Sequence, residues 1–282
     1  MSTNTVSKRE KDSAALRFLY GTALGRILLK LLSAPVLSRL AGAFLDSRIS
    51  KPLIQPFVKK NNIDLNDFYS DDFRCFNDCF SRKIKDGLRT VDFSPSALVS
   101  PCDALLSAYN INTDSTLNIK GSEYTVEDIL ADKALAERYD GGVCLVFRLC
   151  VHHYHRYIYV DNAVKSKNTF IGGRLHTVRP IALRTYPVFK QNSREYTVMQ
   201  TENFGAVTQI EVGALLVGKI ENYHSEQRVQ KGEEKGRFLY GGSTIILLIE
   251  NDKVDIPEEL FLETQNDREV PVLLGERIGT SK

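Results

Sequence analysis

Ser243 has the chemical setting most worth explaining in this chain. It follows Gly241-Gly242 and precedes Thr244 and the apolar run Ile245-Ile-Leu-Leu-Ile249. A short continuous run rich in β-branched side chains reads as a buried strand. The two glycines permit a sharp bend or positive φ at the strand entrance. A hydroxyl is thereby presented beside the unshielded carbonyl of Gly242, placed to attack its own preceding peptide bond. Taken alone, Gly-Gly-Ser-Thr is an ordinary turn composition. The rest of the chain must supply a base and the means to hold it.

The candidate bases are five histidines: His152, His153, His155, His176 and His224. Three cluster in Val151-His-His-Tyr-His-Arg-Tyr-Ile-Tyr159, after an expected strand. There the period of two puts His153 and His155 on one face and His152 on the other. Acid–base work suits an imidazole that titrates near neutrality. No acidic or cysteine partner stands at ligand spacing, so no metal site is expected. Asp103, in Ser100-Pro-Cys-Asp103, ends another expected strand. It is either a turn residue or the orienting third member of an Asp–His–Ser arrangement.

The elements that must position these groups are mostly strands. The expected strands are Ala97–Asp103, Ile111–Lys120, Val143–Val151, Leu175–Val178, Tyr196–Thr201, Ala206–Val212, Ala214–Ile220, Phe238–Tyr240 and Ile245–Ile249. Phe73, Phe76 and Phe80 fall at i, i+3 and i+7, which predicts a helix with an aromatic, core-facing side that Gly87 stops. A second helix is expected over Glu123–Ala136, capped by Thr125. The fold class is therefore α+β and mainly β, a helical N-terminus followed by an antiparallel β-rich body. No Walker loop, dinucleotide fingerprint or internal repeat occurs. The five cysteines are odd in number and lack a Cys-x-x-Cys pair, so reduced thiols are expected.

Charge divides the chain. Residues 1–60 carry eleven Lys/Arg against three acidic residues, a net +8 that leaves −6 for residues 61–282 within the total of +2. From Ala14 to Leu45 the sequence is strongly apolar, yet Arg17, Arg26, Lys30 and Arg39 interrupt it and Pro35 divides it into helices. No uncharged stretch reaches the roughly 18–20 residues of a spanning helix. The pattern fits shallow insertion, with basic side chains snorkelling to anionic headgroups. The alternative is a helical hairpin packed on the protein's own core. Two units are expected: a basic, apolar membrane-association segment over 1–60 and the β-rich body over 61–282.

Taken together, these residues resemble the phosphatidylserine decarboxylases. The segments that carry the resemblance begin with Phe76-Asn-Asp-Cys-Phe-Ser-Arg-Lys-Ile-Lys85, Val99-Ser-Pro-Cys-Asp103, Ile119-Lys-Gly-Ser-Glu-Tyr124 and Tyr154-His-Arg156. Gly173-Arg-Leu-His-Thr-Val178, Asn192-Ser-Arg-Glu195 and Val212-Gly-Ala-Leu-Leu-Val-Gly218 follow. Lys231-Gly-Glu-Glu-Lys-Gly-Arg-Phe238, Gly241-Gly-Ser-Thr244 and Gly275-Glu-Arg-Ile-Gly279 complete the series. They run in order over about residues 73–279.

The resemblance implies a zymogen that cleaves itself between Gly242 and Ser243 into a β chain (1–242) and an α chain (243–282) that stay associated. Ser243 becomes a covalent pyruvoyl group that forms a Schiff base with phosphatidylserine and promotes loss of CO₂, giving phosphatidylethanolamine. Asp103 and His155 map onto the family's charge-relay pair, with His155 as base for Ser243. The implied partner is phosphatidylserine in an anionic membrane, met peripherally at the cytoplasmic face. No nucleic acid is expected, and a homodimer is compatible with the pattern. The chain departs from the family at Ile158, where many members carry a second histidine. It departs also at His153, Gly241 and Ala104. Ile158 motivates one other reading, a non-catalytic membrane-binding relative. A second is an N-terminal-nucleophile hydrolase that uses Ser243 itself.

Overall fold

The computed structural model describes residues 13–33, 35–119, 122–183, 185–214, 219–239 and 243–282. Gly241 and Gly242, where the kink and the scissile bond are expected, lie outside the described residues, as does the middle of the strand expected over Ala214–Ile220.

Nine strands form the main sheet: β1 Ala104–Asn110, β2 Val143–Leu149, β3 Ala163–Lys165, β4 Thr169–Ile171, β5 Arg194–Thr201, β6 Ala206–Val212, β7 Gln227–Val229, β8 Ser243–Ile249 and β9 Val270–Val272. Their order is β7-β3-β5-β6-β8-β2-β1-β9, with β4 against β5. Every pairing in this sheet is antiparallel. The apolar run behind Ser243 thus lies near the middle, bonded to β6 on one side and β2 on the other. Both of its faces are covered, which is why it reads as continuously apolar. Ile245, Leu247 and Ile249 enter one core with Phe147, Leu149 and Tyr157. Ile246 and Leu248 enter a second core with Ile210, Val146 and Phe189. Each such side chain contributes about 1.5–3 kcal/mol by leaving water.

A three-stranded sheet of Ile220–Asn222, Glu234–Phe238 and Arg156–Ile158 lies beside the first core. Gly236 sits at a bulge in this sheet. A Cβ there would come within 2.2 Å of the Glu221 carbonyl oxygen and 2.8 Å of the Tyr157 hydroxyl. No side chain fits that approach.

Several expected elements are shorter. The aromatic helix occupies only Phe76–Phe80. Over 122–137 the chain forms a strand, Ser122–Thr125, and then two short helices, Val126–Leu130 and Lys133–Glu137. Thr125 caps the first of these helices as expected, its side chain accepting from the Asp128 amide, but Ala131 turns left-handed and ends it. Leu175–Val178 is not a strand. The segment His152–His155 is a turn and bend, so the expected alternation of its histidines does not apply.

The N-terminal helices are α1 Ala14–Gly21, α2 Ala23–Leu32 and α3 Pro35–Leu45, with Pro35 starting α3. Gly25 allows α1 and α2 to cross closely, since a Cβ there would collide with the Phe18 carbonyl and the Leu19 backbone. One side of the pair is stitched to the body: Tyr20 and Leu29 are buried. The Thr177 amide donates to the Tyr20 hydroxyl at 3.1 Å, and the Leu175 amide donates to the Ser33 carbonyl at 3.3 Å. The other side is bare. Leu24, Ile27, Leu28, Val36, Leu37, Leu40 and Phe44 are all exposed, Leu24 by 67% and Leu40 by 64%. Exposed Arg17, Arg26, Lys30, Arg48 and Lys51 lie among and beside them. No helix among the described residues is long and apolar enough to cross a membrane.

Candidate active site

Ser243 heads β8. Its register across from Leu149 of β2 turns its side chain to the face that carries Ile245 and Leu247. It is wholly buried, and its Oγ lies 3.3 Å from Nδ1 of His155. His155 is wholly buried as well. Its other ring nitrogen, Nε2, is 3.1 Å from the carbonyl oxygen of Cys150. A carbonyl only accepts, so Nε2 carries the proton and Nδ1 keeps its lone pair toward the serine hydroxyl. In this tautomer Nδ1 is free to accept a proton from Oγ. Burial, reinforced by the nearby Arg82, pushes the His155 pKa well below the usual histidine range, so the ring is neutral.

One turn serves both groups. Leu149, at the end of β2, pairs with Ser243, and the next residue, Cys150, supplies the carbonyl that orients His155. That same carbonyl accepts from the His153 amide, and the Cys150 amide donates to His153 Nδ1 at 3.1 Å. Phe80 lies on the His155 ring, and Arg156 Nε donates to the Ser81 carbonyl at 2.9 Å. The segment 76–82 therefore forms the outer wall of the site.

Asp103 does not bond to His155. Its carboxylate accepts from Arg89 Nε at 2.8 Å and Nη2 at 2.6 Å, and from the Leu274 amide at 2.9 Å. The hydrogen bond an orienting aspartate would take is filled by the Cys150 carbonyl. Asp103 instead pins the 101–103 loop, whose Pro101 carbonyl accepts from the Ile158 amide just after His155. Ile158 itself is buried in the first core.

The remaining histidines face elsewhere. Burial, with repulsion from His152, pushes His153 down to about 3, and its Nδ1 is occupied. His176 stacks on Tyr186 at 4.6 Å, with Tyr20 3.5 Å from its Nδ1. His224 is tied to Tyr159. The sequence pattern reads Phe80 as core and gives no role to Arg82 or to the Cys150 carbonyl. The matched segment Phe76–Lys85 was the signal available for the first two.

Behind Ser243, on the same face of the sheet, lies a wholly buried ion pair. Lys235 Nζ is 2.8 Å from both Glu211 oxygens and 2.9 Å from Asn222 Oδ1. Gln209 and Asn222 donate to the same carboxylate at 3.0 and 3.1 Å. These bonds offset the cost of burying two charges, and they brace β6 beside β8.

The site belongs to a class defined by an internal serine whose hydroxyl proton can pass to a neutral, preorganised imidazole. Comparisons with known proteins give the family. The family model for phosphatidylserine decarboxylase matches residues 76–280. Phosphatidylserine decarboxylase proenzyme 2 of Clostridium acetobutylicum is 42% identical over 273 residues, covering 96% of this chain and 94% of its own. The phosphatidylserine decarboxylase proenzyme of Ruminiclostridium cellulolyticum is 42% identical over 270 residues, covering 94% and 90%. That of Clostridium kluyveri is 39% identical over 270 residues, covering 94% and 91%. The chain belongs to the phosphatidylserine decarboxylase family.

Proposed function

We propose that this chain is a phosphatidylserine decarboxylase made as a proenzyme that cleaves itself before Ser243. The observation that carries the reading is the 3.3 Å contact between Ser243 Oγ and Nδ1 of His155. His155 takes the hydroxyl proton as Oγ attacks the Gly242 carbonyl carbon. The peptide C–N bond breaks, an ester forms to Oγ, and the proton passes to the freed amine of Ser243. Loss of the α-proton and of the Gly242 carboxylate leaves dehydroalanine, which water converts to a pyruvoyl group and ammonia. A depressed histidine pKa makes a weak base, but the reaction occurs once per molecule and needs the neutral form above all.

The fit of the group is supported by its precursor's place, a wholly buried residue at the head of a strand paired on both sides. Those pairings would keep residues 243–282 in place after the cut. A pyruvoyl group supplies the electron-withdrawing carbonyl that decarboxylation of an amino acid headgroup requires. Around it, Phe80 excludes water and His155, regenerated as a neutral base, remains within reach for proton transfer. Asp103 acts at one remove, by fixing the loop under Ile158.

The bare apolar face of α2 and α3, with its basic neighbours, supports docking on an anionic bilayer at which the lipid is met. Intact mass tests the core of the reading. The expected result is two fragments, 1–242 and 243–282, the smaller lighter by one ammonia than its serine form, together with CO₂ release from phosphatidylserine vesicles. An uncut chain would refute the reading, and a small fragment beginning with serine would point to hydroxyl nucleophile chemistry.

A further inference from the structure

We infer that Arg82 is the positioning residue for His155: its fork clamps the turn that leads into the imidazole to the segment that bears Phe80. The kinetic consequences rest on the self-cleavage reading above; the effect on the ring itself does not.

Arg82 is 3% exposed. Nη2 donates to the His152 carbonyl at 2.9 Å and lies 3.4 Å from that of His153, while Nη1 donates to the Cys79 carbonyl at 3.3 Å. Its guanidinium lies 4.5 Å over the Phe68 ring. The fork thus bridges two segments that enclose His155, the one bearing Phe80 and the turn following Cys150. A lysine has one charged atom and does not span both.

Every one of these partners is neutral. Among the described residues, no carboxylate stands within ion-pair distance of Arg82, and its Nε is buried without a partner. Burial lowers the Arg82 pKa, yet a guanidinium stays protonated, and its charge opposes a second one nearby. The groups facing His155 from each packed element add little to oppose it. The segment 79–82 brings Arg82 and the Cys79 thiol, which burial holds neutral by pushing its pKa to about 11. The turn brings His152, His153 and the Cys150 carbonyl, and β8 brings the neutral Ser243 hydroxyl. Asp103 is paired with Arg89 at 2.6 Å, and its charge also reaches Arg82 and His153. Only the Cys150 carbonyl favours protonation. Arg82 therefore preserves the Nδ1 lone pair that must accept the serine proton.

The test follows the ring in the full chain carrying Ser243→Ala, labelled with ¹⁵N-histidine. The expected result is a neutral, Nε2-protonated His155 down to the lowest pH at which the fold persists. Adding Arg82→Gln should raise its titration midpoint by about one unit or more. Arg82→Lys should leave the midpoint nearly in place. In the chain with Ser243 intact, made by cell-free synthesis, both substitutions should slow cleavage roughly tenfold to a hundredfold through misplacement of the base. Only Arg82→Gln should add a loss of rate toward acid pH. An unchanged midpoint in a folded Arg82→Gln protein overturns the electrostatic role. If that variant does not fold, Arg82→Lys cleaving at the parental rate overturns the positioning role. An uncut parent chain would defeat the self-cleavage reading and leave the titration result standing.

Discussion

The ring of Phe80 lies 4.0 Å from that of His155, centroid to centroid and inclined by 31°, with both side chains wholly buried. This contact makes a short helix far upstream in the chain part of the wall around Ser243. It also holds the imidazole plane so that one nitrogen meets Cys150 and the other the serine.

Phe80→Leu should therefore cost more in self-cleavage than in folding. The smaller side chain frees the ring to tilt, and a roughly tenfold or greater slowing is expected. The loss of stability should be about 1–3 kcal/mol, from lost contacts and a partial cavity. Time-resolved gels of freshly made protein and urea unfolding measure the two. Parental cleavage in a destabilised protein would show that the contact is packing alone.

His155→Ala should leave the chain uncut over hours, because loss of a positioned base costs about 10²–10⁴ in rate. Asp103→Asn should slow cleavage less, since its carboxylate serves Arg89 and Leu274. Intact mass against time distinguishes them. A folded Asp103→Asn protein that never cleaves would move Asp103 closer to the chemistry.

Acid should destabilise the uncut Ser243→Ala protein early. Unfolded histidines bind a proton near pH 6.5, whereas buried His153 does so only near about 3 and His155 lies well below its usual range. Below pH 6.5 the unfolded chain takes up protons the folded chain refuses. Stability present above that pH is lost as pH falls, by about 1.4 kcal/mol per unit for each such histidine. His153→Gln, which keeps an acceptor for the Cys150 amide, should flatten the slope of stability against pH by close to one proton. An unchanged slope would remove His153 from this account.

Lys235→Met should be among the more destabilising single changes, at about 3–5 kcal/mol, because it strands Glu211 in a dry core. Pairing it with Glu211→Gln should recover much of that loss. A double variant no more stable than the single one would show that the pair acts through more than charge.

Ile27→Asp with Leu40→Asp should weaken binding to phosphatidylserine-containing vesicles at least roughly tenfold, given about 1.5–3 kcal/mol per buried aliphatic side chain. Point changes on the bare face are the proper probe, since Tyr20, Leu29 and Ser33 fasten the other side of these helices to the body. Vesicle co-sedimentation at low and high salt should show weaker binding at high salt in the parent. Equal binding by the double variant would refute docking through this face.

Local sequence settled a good deal here. Ile245–Ile249 reads as a buried strand because a strand covered on both faces has no polar side to betray it, and β8 is such a strand. The antiparallel, mainly β body behind N-terminal helices could be read from the strand pattern and the break at Pro35. Ser243 could be singled out from its glycines and the strand behind it, whereas residue type left five candidate histidines and only the family resemblance pointed to His155. The ends of short elements were not readable. Whether Phe73 joins the helix, or Ala131 turns left-handed, depends on what each must pack against.

What the sequence determined by itself, then, is which residues are candidates for chemistry, because hydroxyl, imidazole and branched apolar run are properties of the side chains and their near neighbours. What only the tertiary structure decided is their relations. It gave the orienting bond on His155 to the Cys150 carbonyl and left Asp103 to Arg89. It enclosed the imidazole between Phe80 and a buried Arg82. It fastened one side of the N-terminal helices to the body and left the other bare. The last two depend on segments seventy or more residues apart arriving at one place, and spacing along a chain carries no measure of that distance. The bonds from His155 to Cys150, five residues away, and from Asp103 to Arg89, fourteen away, depend on how the turns between them fold.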